Sequence, residues 1–514
     1  MKFLFRTTLL AALAIAGLAS CNTDDLPNGT DTAEGTNVTT TMTLNLKFPT
    51  APATRADVNA VAAEGVVKTV SVFIYSASGV LQNDTTMLLA GGFDTPGTEE
   101  SGQTAYTSKV TIYATTGPKK IFVGVNLPDA LKTALHNEAR MANLISNART
   151  LTRTDLLGTS SDVDGILGDD EEETGFVMCS PIMADATLVV TSDATYATAN
   201  TVEVDVARLA AKVTVSESSD LTTTEPLAVA AAGGSFDNLQ FAIDNFNQKS
   251  YLIQGIEPAY MDPNWDLATW IAEDGKVVES SYYDDLDNID NAKTAQDAKD
   301  NVYGYYNVNS STEGVAAYNN AYVAENTSET LKKGTLTRVI VKAEFLPDYL
   351  WAADEDNKTA PPIGYSKSAN TLDFDTNGDF YLIVDPAGTA YYTLSKTVAV
   401  GAAGTAVGCG DPANNFEAGS LAEVLGASSV IKYTDSNCYY DLWLNTDKAS
   451  DEPRYQPLRN HYYQCKITDI AALGDHTEAL DTPEDVATSD TNIKVDINVL
   501  YWSFVTNNYV LGAE

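Results

Sequence analysis

The sequence predicts a mainly β protein of more than one antiparallel sandwich domain with small helical insertions, and three observations carry that prediction. Apolar residues recur at every second position in several segments, which is the spacing of a strand with one buried face. The chain has 514 residues, and at roughly 100–200 residues per domain this asks for more than one core. Its composition, 44% hydrophobic with 26 Tyr and only 20% charged residues, is that of a chain that folds.

Export is legible at the start. Lys2 and Arg6 form a basic region, residues 7–17 form an apolar run too short to span a bilayer, and Leu18-Ala19-Ser20-Cys21 follows at once. This tetrapeptide resembles a bacterial lipobox, in which Cys21 would be acylated and become the mature N-terminus, held to the membrane by lipid and not by a helix. Asp24 and Asp25 resemble the surface-export signal of Bacteroidetes lipoproteins. The alternative is an ordinary cleaved signal peptide with a chance cysteine.

The clearest strand is 41–48, where Met42, Leu44, Leu46 and Phe48 alternate with Thr41, Thr43, Asn45 and Lys47. Residues 49–57 (Pro49-Thr50-Ala51-Pro52-Ala53-Thr54-Arg55-Ala56-Asp57) read as an extended, accessible linker. Strands are expected at 69–75, 106–114 and 120–126, with a helix over 130–149 (Leu131, Leu135, Met141, Leu144, Ile145) and an acidic surface loop at 162–173. Alternation resumes over 201–215 and opens a second unit, continued by 236–246, 336–345, 462–467 and 492–504. The Trp- and Tyr-rich stretch 257–323 reads as a long insertion.

Several function classes are disfavoured. A formal net charge of −39 repels phosphate backbones and anionic lipid, so no nucleic acid is expected as a partner and the membrane is reached only through the lipid anchor. No H-E-x-x-H, G-x-S-x-G, P-loop or dinucleotide fingerprint occurs, so neither an enzyme nor a cofactor is expected. Asp373, Asp375, Asn377 and Asp379 open like a calcium loop, but Val384 stands where a bidentate Glu is needed, and a hairpin turn is the preferred reading. Beyond Cys21 the cysteines are Cys179, Cys409, Cys438 and Cys465; disulfides with three possible connectivities, or buried thiols, are both open.

The string Val204-Asp205-Val206-Ala207-Arg208-Leu209-Ala210-Ala211-Lys212-Val213, preceded by Gly175-Phe176-Val177-Met178, resembles the V-x-V-x-R-x-x-A-K-V strand of the minor-fimbria stalk subunits of Bacteroidales type V fimbriae. Segments around Asn245 to Tyr251, Tyr322-Val323-Ala324-Glu325-Asn326, Leu458-Arg459-Asn460-His461-Tyr462-Tyr463 and 497–502 are similar to further parts of that family. The resemblance implies two tandem transthyretin-like sandwiches. It further implies a signal peptide over 1–21, a propeptide over 22–55, an N-terminal domain over 56–203 and a C-terminal domain over 204–514.

The family's assembly chemistry follows as an implication. An Arg-specific protease would cut after Arg55 and release the strand bearing Met42, Leu44, Leu46 and Phe48. A strand from another copy, drawn from Trp502, Phe504, Val505, Tyr509, Val510 and Leu511, would then fill the groove and build a head-to-tail polymer. Partners would be the chain itself, the anchor and tip subunits, and host or bacterial surface receptors. The alternatives are a tip or anchor subunit of the same fimbria, or a glycan-binding surface lipoprotein using Trp265, Trp270 and Trp351.

Overall fold

The computed structural model describes residues 38–501 with interruptions. The larger of these are 49–65, 157–174, 224–233, 309–319, 394–429, 445–453, most of 255–304 and most of 351–378. Cys21, Arg55, residues 502–514, Trp265, Trp270, Trp351, Cys409, Asp373, Asp375 and Asn377 lie outside the described residues.

Among the described residues the chain is mainly β, as expected, and its strands gather around two hydrophobic cores. The first core is enclosed by β1 (Thr39–Phe48), β2 (Thr69–Ser76), β3 (Leu81–Leu88), β4 (Thr104–Thr107), β5 (Ile112–Thr115), β6 (Gly117–Val125), β7 (Met178–Cys179), β8 (Ala184–Leu188), β9 (Thr201–Asp205) and β10 (Ala207–Arg208). One sheet has the order β9-β1-β4, with β5 also on β1; the other runs β10-β7-β6-β2-β3, with β8 on β6. The apolar side chains of β1, β2 and β6 that alternate along each strand meet between these sheets, which is why period two was informative there.

The second core is enclosed by β11 (Ala210–Thr223), β12 (Gly234–Asp244), β13 (Asn320–Ala324), β14 (Arg338–Pro347), β15 (Phe380–Val384), β16 (Ala390–Thr393), β17 (Val430–Tyr433), β18 (Asn437–Trp443), β19 (His461–Ile470) and β20 (Ile493–Tyr501). Its sheets run β13-β11-β19-β20 and, with the short strand Tyr306–Asn307 at one edge, β12-β14-β18; a smaller sheet has the order β16-β15-β17. Among the described residues each sandwich contains one parallel pair, β1 with β9 and β11 with β19.

The expected elements differ in instructive places. The strand expected over 106–114 is split into β4 and β5 because the chain leaves the ladder at Ser108. The helix expected over 130–149 is two helices, α1 (Asp129–Glu138) and α2 (Met141–Ser146), since Ala139 takes a left-handed φ of 52° and Arg140 an extended one. The run 201–215 is three strands. Val202, Val204, Val206, Leu209 and Ala210 belong to the first core, and Ala211, Val213 and Val215 to the second. The change of core thus falls at Ala210 and Ala211, a few residues beyond the expected start at 204.

The residues that prompted the family resemblance hold this change-over together. Gly175 has φ +71°, and a Cβ there would lie 2.4 Å from the Val66 carbonyl oxygen, so a side chain is excluded. The Asn126 amide beside it donates to Val66 O (2.8 Å) and Phe176 O (3.0 Å) and accepts from the Lys68 N–H (2.9 Å). Phe176 stacks edge-on against Tyr322 of the second unit at 5.0 Å. Arg208 donates its N–H to Asn460 Oδ1, and the Asn460 N–H reaches Ala210 O at 2.8 Å. Lys212 is fully buried, its ammonium 4.8 Å over the Tyr462 ring.

Cys179, Cys438 and Cys465 are buried free thiols, and among the described residues no disulfide forms. Burial pushes Cys179 and Cys465 up from 9.0 to about 12 and Cys438 to about 11. The Tyr75 and Tyr106 hydroxyls rise from 10.0 to about 12 for the same reason. A raised folded-state value means that the neutral form is preferred in the fold. The stability lent by these groups is fully present below about pH 9, and it drains away as pH rises toward 12. Iodoacetamide at pH 8 should leave all three thiols unmodified in the folded chain and label them once it is denatured, read by mass. A transition on titration should fall within pH 9–12.

Candidate functional site: the seat of the first strand

β1 owes its conformation to its own sequence. Thr, Leu and Phe favour extended backbone, and the alternation of Met42, Leu44, Leu46 and Phe48 gives one wholly apolar face. All four of these side chains are at most 1% exposed. Phe48 meets Tyr106 edge-on at 5.6 Å between ring centroids. Burying four such side chains is worth about 1.5–3 kcal/mol each, so the strand is a main contributor to its sandwich.

Its two edges are both occupied. On one, β9 runs parallel, with Leu44 opposite Val202 and Lys47 opposite Asp205. On the other, β4 pairs antiparallel through Asn45 to Phe48 and β5 through Thr39 to Met42. The Val206 N–H continues the first edge to Lys47 O at 2.9 Å, and the Thr116 N–H continues the second to Val38 O at 3.0 Å.

Gaps in both ladders are closed by side chains. Asn200, just before β9, shares the two hydrogens of Nδ2 among Thr41 O at 2.8 Å, Val189 O at 2.9 Å and Thr40 Oγ1 at 3.2 Å, while its Oδ1 accepts from the Val189 N–H at 2.9 Å. Thr40 in turn donates its hydroxyl to Val189 O at 2.7 Å. Between β4 and β5, Ser108 accepts the Leu44 N–H on its hydroxyl at 2.9 Å and returns its own N–H to Leu44 O at 2.8 Å. Lys47 pairs with Glu203 at 2.9 Å nearer the surface. Sequence reasoning missed Asn200 and Ser108, which carry no period and no motif.

The other expected residues are less informative. Of the calcium candidates Asp379 alone is described, and its carboxylate accepts the Asp435 N–H at 3.0 Å and pairs with Lys432, which joins β15 to β17. Among the described residues no group of three or more His, Cys, Asp or Glu is disposed to hold a metal. Among the described residues β20 lies at the edge of its sheet, paired antiparallel with β19 from His461 opposite Tyr501 to Ile470 opposite Ile493. Val495 and Ile497 pack against the second core.

A second buried site joins the two units. Glu325 and Arg459, 1% and 3% exposed, pair through Nη2 at 2.7 Å and Nε at 2.8 Å. Arg459 also donates to Leu252 O and Tyr251 O, and Gln254 donates to Glu325 Oε1. Every charge-bearing atom here has a partner, and the arrangement locks the segment after β13 to the turn before β19.

Residues 431–508 match the family model described as major fimbrial subunit protein type IV, fimbrillin, C-terminal. The matched span runs from β17 through β18, β19 and β20 to residue 508. Among solved structures the chain is similar to a protein from Parabacteroides distasonis assigned provisionally to cell adhesion, at 12% identity over 90% of this chain and 100% of that one, with a TM-score of 0.44. It is similar to a fimbrilin from Porphyromonas gingivalis W83 at 12% identity over 91% and 99%, TM-score 0.39. The tip fimbrial protein Mfa3 from Porphyromonas gingivalis aligns at 14% identity over 90% and 100%, TM-score 0.33. No curated protein gives a significant match. The matched family is one of fimbrial structural subunits, and over residues 431–508 this chain is similar to it.

Proposed function

We propose that this chain is the stalk subunit of a cell-surface fimbria, exported as a lipoprotein precursor acylated at Cys21, cut after Arg55 and polymerised by strand exchange. In this reading 1–21 is the signal peptide, 22–55 the propeptide, and 56–203 and 204–514 the two working domains. The supporting observation is the position of β1: a strand with a fully buried apolar face, paired on both edges, and followed by the Arg-bearing linker. One cut in that linker detaches β1 from the rest of its sandwich. Until then β1 is tethered and returns to its seat faster than any competitor; afterwards it is a separate peptide that a second strand can displace.

The displacing strand comes from Trp502, Phe504, Val505, Tyr509, Val510 and Leu511 of another copy, continuing beyond the edge strand β20. A contact of this kind is heterologous, so it builds filaments and not closed rings. Anchor and tip subunits of the same fimbria occupy the ends.

The test compares the full chain with one ending at Trp502, both cut after Arg55. We expect ladders on non-denaturing gels from the first and a monomer from the second, with at least tenfold less polymer. Equal polymerisation by the truncated chain would reject the C-terminal donor.

A further inference from the structure

We infer that Asn200 and Ser108 are the positioning residues of the β1 seat, and that Asn200 selects strands carrying a hydroxyl at the place of Thr40. This deepens the strand-exchange reading and rests on it. The incoming strand is taken to be the C-terminal segment of a second copy.

The argument begins from the ladder. Regular pairing can serve an incoming strand only where a neighbouring strand is present, and on each edge of β1 there is a place where it is not. β9 begins at Thr201, so nothing in its ladder can meet the Thr41 carbonyl; the Asn200 side chain does so instead. β4 ends at Thr107 and β5 begins at Ile112, so nothing in those ladders can meet Leu44; Ser108 does so through both its hydroxyl and its N–H. Residues 41 and 44 point their backbone groups to opposite edges, as odd and even positions of a strand must. Asn200 is 2% exposed and Ser108 1%.

An emptied seat would therefore leave the Asn200 amide and the Ser108 hydroxyl without their β1 partners, and any incoming main chain can remake those bonds. These contacts read backbone and tolerate many sequences. The Thr40 contact does not. Its hydroxyl accepts from Asn200 Nδ2 and donates to Val189 O, so valine at that place would take one donor from Val189 O and one acceptor from Asn200, which keeps Thr41 O and Val189 O. The seat then asks for a hydroxyl followed by apolar residues two, four, six and eight positions on, as Thr40 is followed by Met42, Leu44, Leu46 and Phe48. In residues 502–514 this spacing is met from Ser503 at three of its four apolar places, by Val505, Tyr509 and Leu511, while polar Asn507 falls at the place of Leu44.

The experiment uses the full chain, cut after Arg55 and freed of the released fragment, with two fluorescent synthetic peptides. One carries residues 38–48 and the other residues 501–512, each with and without Thr40→Val or Ser503→Val. With the unaltered protein we expect each valine to weaken binding about tenfold, the effect of one buried hydrogen-bonded hydroxyl. In N200A, and in N200D, which keeps the acceptor for Val189 N–H but loses the donor, the valine effect should shrink to less than threefold. S108A should weaken both peptides alike, and S108T should restore them. An ester in place of the Leu44 amide in the first peptide should reproduce S108A without touching the protein.

Equal valine effects in unaltered and N200A or N200D protein would overturn the role of Asn200. An ester without effect would overturn that of Ser108. A loss from Thr40→Val but none from Ser503→Val would overturn the placing of Ser503. If the cut chain takes neither peptide, the strand-exchange reading itself fails, which is a distinct result.

Discussion

Replacing Glu325 by alanine should destabilise the chain by about 3–5 kcal/mol, because Arg459 would remain buried without its counter-charge. The guanidinium lies 3% exposed between the two units, and its remaining bonds are to the carbonyls of Tyr251 and Leu252. These dipoles do not replace a full negative charge. The pair also orders backbone from three places in the sequence: the Tyr251 to Gln254 turn, the end of β13 and the approach to β19. The loss should therefore appear as a lower urea midpoint for the unfolding transition of the second sandwich. The double variant Glu325→Leu with Arg459→Met should recover most of it, since exchanging a buried pair for well-packed apolar groups is often neutral. A double variant as unstable as the sum of the single ones would show that the site is held by packing and not by charge compensation.

Much of the first sandwich was legible in its residues. β1 announced itself because one of its faces is apolar at every second position, and β2 and β6 did so because they are dense in Val, Ile and Phe. β3 did not: Gln82, Asn83, Asp84, Thr85 and Thr86 follow one another with only Met87 buried, and the strand exists because β2 needs a neighbour. The break at Ser108 was invisible for a different reason. Its cause is a contact with Leu44, 64 residues earlier, and no local pattern records it. The same holds for Asn200, which meets Thr41 across 159 residues. The string around Arg208 and Lys212 that resembles the fimbrial subunits has a physical meaning: it is where the chain passes from one core to the next. The parallel pairings of β1 with β9 and β11 with β19 could not be read at all, because period two is the same in parallel and antiparallel strands.

The seat of β1 sets the largest expected effect. Before cutting, the strand is an integral part of its sandwich. After cutting, four buried apolar side chains worth about 1.5–3 kcal/mol each still hold it, so release should be slow in isolation and driven by a competing strand of similar burial. With another copy as the proposed competitor, assembly should speed up with subunit concentration, and polymer should accumulate only as the fragment leaves.

The most direct measurement is to treat the purified precursor with an Arg-specific protease and follow both products by mass and by size. We expect a cut after Arg55, with the fragment bearing Met42, Leu44, Leu46 and Phe48 leaving in step with the growth of ladders. A cut chain that keeps this fragment bound and stays monomeric at every concentration would contradict replacement of β1 by a second copy.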